Sequence, residues 1–152
     1  METVRSILER KGSEIISVDP DATLEEALKV MAEHNVGAVL AIDAEGTIAG
    51  IFSERDFARK IMAEGRTIGL TKVRDIMSSQ VLYVKPDTSL TDCMNLMTEK
   101  RIRHLPVLAN GRLMGVISIG DVVKALIQMQ ETVISDQASQ INMLNNYMFG
   151  SP

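Results

Sequence analysis

The feature that most constrains this chain is an internal repeat that covers most of its 152 residues. Residues 15–43 have a second version that begins at residue 81. Its matching pairs are Val18 with Val84, Pro20 with Pro86, Asp21 with Asp87, Leu24 with Leu90, Met31 with Met97, Glu33 with Glu99, Gly46 with Gly111, Gly50 with Gly115, Ser53 with Ser118 and Asp56 with Asp121. Because each unit alone is too short to bury a large core, we expect the two to pack together.

Each repeat carries the same succession of local signals. Short β-branched runs at 15–18 and 81–84 are stopped by proline, and helices follow, with Thr23 and Ser89 as plausible N-caps near their starts. Compact apolar runs at 38–42 and 105–108 suit buried strands, and further strands at 48–52 and 113–117 lead into helices that open at Ser53 and Ser118. The order is β-α-β-β-α, twice. We therefore predict an α/β (α+β) fold of two βαββα repeats, packed sheet to sheet with pseudo-two-fold symmetry, plus a C-terminal helix.

The predicted boundaries are 1–64 for the first repeat, 65–72 for a linker, 73–128 for the second repeat, and 129–152 for a helical extension and tail. A helical stripe of apolar residues continues past the second repeat, at Val123, Leu126, Ile127, Val133, Ile134, Ile141 and Leu144. Covering the core, or a second copy of it, is the commoner role of such a stripe, and contact with a partner helix is the alternative. Residues 150–152 are expected to be a frayed tail.

Composition excludes several classes of protein. Apolar residues make up 45% of the chain, yet no uninterrupted apolar run approaches the roughly 20 residues of a membrane span. There is no secretory signal pattern at the start, and the single cysteine, Cys93, predicts no disulfide framework and a cytoplasmic, reducing location. A net charge of −4, with three Phe, two Tyr and no Trp, argues against nucleic-acid binding.

The sequence also lacks the groups that an enzyme would need. Its only histidines are His34 and His104, and Cys93 falls on an apolar helical face, where a buried, inert thiol is the better interpretation. No cluster has metal-ligand spacing, and GRLMG matches neither a Walker A loop nor a dinucleotide fingerprint. We therefore predict a binding module rather than an enzyme, with no catalytic cofactor and no metal.

Two copies of a short motif make the sequence recognisable. GIFSERD ends at Asp56 and GVISIGD ends at Asp121, and RHLPV begins at Arg103. Together with the doubled βαββα pattern, these motifs resemble a tandem pair of CBS domains, called a Bateman module, and the small stand-alone bacterial proteins of that family. The resemblance implies adenine nucleotides bound in clefts between the repeats, a role in sensing energy or redox state, and a homodimer stacked as a disc, or a higher homo-oligomer.

The repeated Ser-x-x-Asp has two compatible interpretations. Serine at an N-cap with an acid three residues later is close to a capping box. A carboxylate at a cleft edge can also accept hydrogen bonds from the two vicinal hydroxyls of a ribose, and the resemblance implies that role for Asp56 and Asp121. Phosphate would then meet Arg103 and His104, whose counterparts in the first repeat, Gly37 and Ala38, carry no charge.

We therefore predict two unequal sites. The stronger combines Ser118, Asp121, Arg103 and His104 with backbone near Ile16 and Ser17, a crossing between repeats that the resemblance supplies. The weaker uses Ser53, Asp56, Leu82 and Tyr83, with Ser78 and Arg55 as further candidates. Lys11 could reach a phosphate, although the second repeat has no equivalent segment. For Val116, Ile117 and their counterparts Ile51 and Phe52, core packing is the default and adenine contact the minority interpretation.

The ligand and the role stay open at this stage. AMP and NAD are favoured, but ADP, ATP and S-adenosylmethionine carry the same ribose and adenine. The alternative function is a structural or oligomerisation module with empty clefts, in which the C-terminal helix makes the contact. A regulatory subunit for a separate enzyme or transporter is a third hypothesis, with no target named by the sequence.

Overall fold

The computed structural model describes residues 2–149, and the frayed tail predicted at 150–152 lies outside them. The described chain forms two compact units. Residues 14–83 make up the first-repeat unit, and residues 2–13 together with 84–149 make up the second-repeat unit. The elements are α1 (Val4–Lys11), β1 (Ser17–Val18), α2 (Leu24–His34), β2 (Ala38–Ile42), β3 (Ile48–Ser53), α3 (Glu54–Asp56), a π-helical segment (Phe57–Ile61), α4 (Met62–Glu64), a 3-10 turn (Ile68–Leu70), α5 (Val73–Ile76), α6 (Leu90–Lys100), β4 (His104–Ala109), β5 (Arg112–Ser118) and α7 (Ile119–Phe149).

The first-repeat unit contains a three-stranded sheet in the order β1-β2-β3. Strand β1 runs parallel to β2, and β2 pairs antiparallel with β3, so that Ala38 lies opposite Ser53. Phe52 and Val39 of this sheet share one buried core with Leu24 of α2 and with Val73 and Ile76 of α5. The strand predicted at 15–18 is present but shorter, since only Ser17 and Val18 pair with β2.

The second-repeat unit has a two-stranded sheet of β4 and β5, in which His104 lies opposite Ser118. The strand predicted at 81–84 is wrong, because only Val84 makes a parallel bridge, with Val107. Tyr83 is 56% exposed, so burial does not stabilise an extended run there as it does in the apolar interior. The βαββα order is thus complete in the first repeat, whereas a single bridge replaces the leading strand of the second.

Two helices that the sequence analysis missed complete the units. Helix α1 precedes the first repeat in the chain but packs in the second-repeat unit, where Val4 N–H donates to the Thr88 carbonyl at 3.0 Å. Helix α5 precedes the second repeat but packs in the first-repeat unit, where Val73 N–H donates to the Ala22 carbonyl at 2.9 Å. The compact units therefore differ from the sequence ranges 1–64 and 73–128.

The predicted N-caps of the first helix in each repeat are confirmed. The Thr23 hydroxyl accepts the Glu26 N–H, and the Glu26 carboxylate returns a bond to the Thr23 N–H, which forms a capping box. In the second repeat, the Ser89 hydroxyl accepts the Asp92 N–H at 3.1 Å. Both contacts lie within one helical turn, which is why the sequence alone predicts them.

The predicted C-terminal helix is present as α7, whose 31 residues extend about 46 Å at 1.5 Å per residue. Its first turns are anchored in the core through Val122 and Ala125. From residue 130 to residue 148 every side chain is exposed. Of the predicted stripe, only Leu126 packs partly against the core, whereas Val123 and Ile127 are already exposed. The expectation that the stripe covers this chain's own core is therefore wrong for its other members, because Val122 and Ala125 face the core instead and the helix then outruns the sheet and helices that it packs against. Among residues 2–149, no helix has the length and apolar character that crossing a bilayer requires.

Candidate functional site

Ser53 and Asp56 form a reciprocal cap where β3 passes into α3. The Ser53 hydroxyl accepts the Asp56 N–H at 3.1 Å, and the Ser53 N–H donates to Asp56 Oδ2 at 3.1 Å. The Ser53 hydroxyl also lies 3.1 Å from Asp56 Oδ2. The capping interpretation of the first Ser-x-x-Asp is therefore confirmed, with aspartate in place of the usual glutamate.

Ser118 and Asp121 repeat this geometry where β5 passes into α7. The Ser118 N–H donates to Asp121 Oδ2 at 2.8 Å, and the Asp121 N–H donates to the Ser118 hydroxyl at 3.1 Å. The strand beside each motif is equivalent too. Ile119 N–H donates to the Arg103 carbonyl at 2.8 Å, as Glu54 N–H donates to the Gly37 carbonyl at 3.0 Å.

Lys11 provides the contact that the sequence could not place. Its ammonium lies 2.6 Å from Asp121 Oδ2, although 110 residues separate the two in the chain. Docking of α1 in the second-repeat unit brings this last residue of the helix to the start of α7. The Lys11 and Asp121 side chains are 40% and 27% exposed, so the pair is accessible to a ligand. The sequence signal was a basic last turn, Arg10 and Lys11, on a helix that the analysis overlooked.

Charges around Asp121 set its ionisation. Partial burial raises the pKa of Asp121, but the Lys11 ammonium and the Ser118 main-chain and hydroxyl groups outweigh that effect, so the pKa lies below its ordinary 3.8. Asp121 is therefore an anion at neutral pH. Its bonds to Lys11 and to the Ser118 main chain both use Oδ2.

His104 lies beside this carboxylate as the partner of Ser118 in the sheet register. Burial lowers the pKa of His104 below 6.5, the Lys11 and Arg103 cations lower it further, and Asp121 acts in the opposite direction. At neutral pH the imidazole is therefore mostly uncharged and carries a single N–H donor. Arg103, one residue earlier, is exposed at the start of β4.

The remaining predicted residues divide between the core and the surface. Ile117 and Phe52 are fully buried, which confirms core packing as their role, whereas Val116 and Ile51 are half-buried. The others all belong to the first-repeat unit: Ile16, Gly37, Ala38, Arg55 and Ser78 are half-buried, and Ser17, Leu82 and Tyr83 are exposed. The Lys60 ammonium caps the Ile76 carbonyl at 2.8 Å and is thereby held within that unit.

The structure thus brings together two groups, each within its own unit. Lys11, Arg103, His104, Ser118 and Asp121 form the charged group of the second-repeat unit, called here the Asp121 cluster. Ser53 and Asp56 form the first-repeat group with Ala38, at the start of β2, and with Gly37, the residue before it. The contribution of Ile16 and Ser17 to the site at Asp121 stays a prediction. Within the described part of the chain, no group of three or more His, Cys, Asp or Glu side chains could hold a metal ion.

Comparison with known proteins defines the class. Residues 4–63 and 73–128 match the CBS domain family, so the chain belongs to that family as a tandem pair. The chain is 36% identical over 156 residues to the mitochondrial CBS domain-containing protein CBSX3 of Arabidopsis thaliana, covering 97% of this chain and 72% of that protein.

Solved structures agree with this assignment. A protein with CBS domains from Burkholderia ambifaria has a TM-score of 0.80 and 46% identity, covering 84% of this chain and 95% of that one. The CBS domain pair of protein MJ0100, solved in complex with 5′-methylthioadenosine and S-adenosyl-L-methionine, has a TM-score of 0.74 over 85% of this chain and 98% of that one. Its 22% identity supports the shared fold alone.

Proposed function

We propose that this CBS pair is a non-catalytic regulatory module that binds an adenine nucleotide at the Asp121 cluster, with AMP or NAD favoured over ADP and ATP. The observation that carries the proposal is the convergence of one ionised carboxylate, two cations and a neutral histidine within a single unit. That set offers acceptors for a ribose diol and donors for a phosphate. The MJ0100 pair, which shares this fold, was solved with 5′-methylthioadenosine and S-adenosyl-L-methionine, so a module of this fold can hold adenosine ligands.

The capping box leaves room for the ribose role. Because the Ser118 N–H and Lys11 use Asp121 Oδ2, Oδ1 is the oxygen through which the carboxylate would accept a ribose hydroxyl. An anionic acceptor makes each such bond roughly twice as strong as one between neutral groups. The serine cap meanwhile fixes the carboxylate against the helix start, so that little side-chain entropy is lost on binding.

Lys11 competes with a bound ribose for contact with the Asp121 carboxylate. Its ammonium contacts Oδ2 and already neutralises the carboxylate, so a nucleoside that binds through Oδ1 has to share the charge of Asp121 with Lys11. A nucleotide brings a phosphate to which Lys11 can transfer, joined by Arg103 as a fork-shaped donor and by the single N–H of His104. The site should therefore prefer nucleotides over nucleosides, because only a phosphate offers the Lys11 ammonium another anion to contact when it moves away from Asp121.

Titration calorimetry with AMP, ADP, ATP, NAD, S-adenosylmethionine and adenosine tests the proposal. We expect AMP or NAD to bind and adenosine to bind more weakly. Lys11→Met should weaken AMP binding and leave adenosine binding equal or stronger, because the competitor for Asp121 is gone. Lys85→Met, a change at an exposed lysine of the same unit, is the matched control. No heat with any of these compounds at millimolar concentration would remove the proposal.

The finer features of the module are also proposals. Sensing of cellular energy follows if AMP and ATP compete for the Asp121 cluster, and equilibrium competition between the two nucleotides measures this directly. Location in the cytoplasm and a regulated enzyme or transporter as partner stay predictions. The weaker site at Ser53 and Asp56 is tested by the binding stoichiometry, since Asp121→Asn should leave only that site.

A further inference from the structure

Helix α7 presents an apolar stripe with a seven-residue period, and the side chains of the stripe are exposed among the described residues 2–149. Ile127, Ile134, Ile141 and Met148 follow one another at intervals of seven residues and are 50%, 58%, 58% and 69% exposed. The stripe runs beyond residue 128, where the match to the CBS domain family ends. From residue 129 onward it is therefore a surface additional to the CBS repeats.

The positions between these residues complete the pattern of a coiled coil. Gln130, Gln137 and Leu144 lie three residues after successive members of the series, so the two series fill the a and d positions of consecutive heptads. We call these seven residues the α7 stripe. The opposite face of the helix is polar, with Thr132, Ser139 and Asn146. Side chains repeating every 3.5 residues on average stay on one seam when two helices supercoil.

The exposed area is of the size that a stable association needs. Ile127, Ile134, Ile141, Leu144 and Met148 expose on the order of 600 Å² per chain, against the roughly 800 Å² that each partner buries in a standard interface. Flanking side chains at Val133 and Tyr147, 50% and 89% exposed, supply further area. An exposed stripe of apolar side chains of this extent is typical of an interaction site.

We propose that the α7 stripe pairs with the same stripe of a second copy of this chain, as a parallel two-stranded coiled coil. Charge favours a second copy over a partner of opposite charge. Only Glu131 and Asp136 are charged between residues 125 and 149, and neither occupies a stripe position. Three of the four a positions are isoleucine and the one apolar d position is leucine, and isoleucine at a with leucine at d favours two strands over three or four.

The two glutamines set the parallel orientation. In a parallel pair in register, Gln130 meets Gln130 and Gln137 meets Gln137 of the second copy, and an amide both donates and accepts, so each layer satisfies itself. In an antiparallel pair, a positions face d positions, and isoleucine would bury each amide without a partner. The apolar layers then stack isoleucine on isoleucine in both copies.

Cysteine cross-linking in the full chain tests the pairing and its orientation. Ile141→Cys should form an intermolecular disulfide readily on mild oxidation, since equivalent a positions of a parallel pair lie within bridging distance. Ser139→Cys, on the opposite face, is the matched control and should stay unlinked. The native Cys93 is buried and does not interfere. Equal cross-linking of the two variants, or none in either, overturns the proposal.

The mass in solution gives a second, independent measurement. By light scattering, Ile134→Asp combined with Ile141→Asp should halve the oligomer of the parent chain, because charges at the seam are not tolerated. Ser139→Asp combined with Asn146→Asp adds the same charge on the opposite face and should keep the parental mass. A monomeric parent, or the same loss of mass in both double variants, contradicts the proposal. Binding of AMP by the seam variants separates this result from the nucleotide proposal.

Discussion

Replacement of Asp121 by asparagine separates the two roles that the structure gives this residue. The amide oxygen can take the place of Oδ2 and keep the bond from the Ser118 N–H, which is 2.8 Å long in the parent. The amide nitrogen then takes the place of Oδ1 and donates, where a ribose hydroxyl needs an acceptor. The variant thus keeps the helix cap and loses the ligand contact.

The two effects differ in size. Stability should fall by no more than about 1 kcal/mol, the upper range for an exposed ion pair, because only the contact to Lys11 is lost. Affinity for AMP should fall by about 2–5 kcal/mol, because two charge-assisted bonds to the ribose diol together contribute about 3–6 kcal/mol and the release of Lys11 offsets about 1 kcal/mol of that loss. That corresponds to a dissociation constant larger by roughly 30- to 5,000-fold.

Calorimetry and denaturant unfolding of the same preparations measure both quantities. The loss of affinity caused by Asp121→Asn should be smaller for 2′-deoxy-AMP than for AMP, because 2′-deoxy-AMP lacks one of the hydroxyls that Asp121 would contact. Parental affinity for AMP in the variant would refute the ribose assignment. A loss of stability above about 3 kcal/mol would show that the carboxylate is chiefly structural, since exposed pairs and caps do not contribute that much.

The acid limb of the stability curve supplies an independent check on Asp121. Its pKa is lower in the folded chain than the ordinary 3.8, because Lys11 and Ser118 favour the anion despite partial burial. The resulting stabilisation is present above pH 3.8 and is lost as pH falls through the lower folded value. The stability difference between parent and Asp121→Asn should therefore disappear at the acid end of this range.

Three further predictions concern single residues. Gly50→Ala should lower the free energy of unfolding by about 1–3 kcal/mol, because a Cβ there would meet the Ser78 carbonyl oxygen at 2.8 Å. Gly115→Ala should lower it less, since the close atom is the movable end of the Leu8 side chain on α1. Equal denaturation midpoints for the two variants would contradict this. Burial lowers the pKa of His104 below 6.5, because the folded chain favours the neutral imidazole. The contribution of neutral His104 to the free energy of unfolding is therefore fully present above pH 6.5 and is lost as pH falls through the lower folded pKa. His104→Gln should flatten that decline in urea titrations at different pH values. Burial also raises the pKa of Cys93 to about 11, so Ellman's reagent should label it only on unfolding, and prompt labelling of the native protein would count against an inert thiol.

Sequence alone predicted the features that depend on near neighbours. The hairpin strands of both repeats and the caps at Ser53 and Ser118 appear in the structure where the pattern predicted them. Compact apolar runs indicate buried strands, and a cap needs only residues within one helical turn. The repeat and its two Ser-x-x-Asp motifs carry the resemblance to a CBS pair, and the match to the family model over residues 4–63 and 73–128 confirms it.

Tertiary packing decided what no local pattern contains. The β-branched residues at 81–84 predicted a strand, but only the Val84 bridge to Val107 forms there. A strand needs a neighbouring strand to hydrogen-bond with along its length, and local propensity does not report whether one is present. The chain position of α1 suggested that it belonged with the first repeat, yet the helix packs in the second-repeat unit and brings Lys11 to Asp121. That ion pair joins residues 110 positions apart, and such a contact depends on how the whole unit buries its apolar faces.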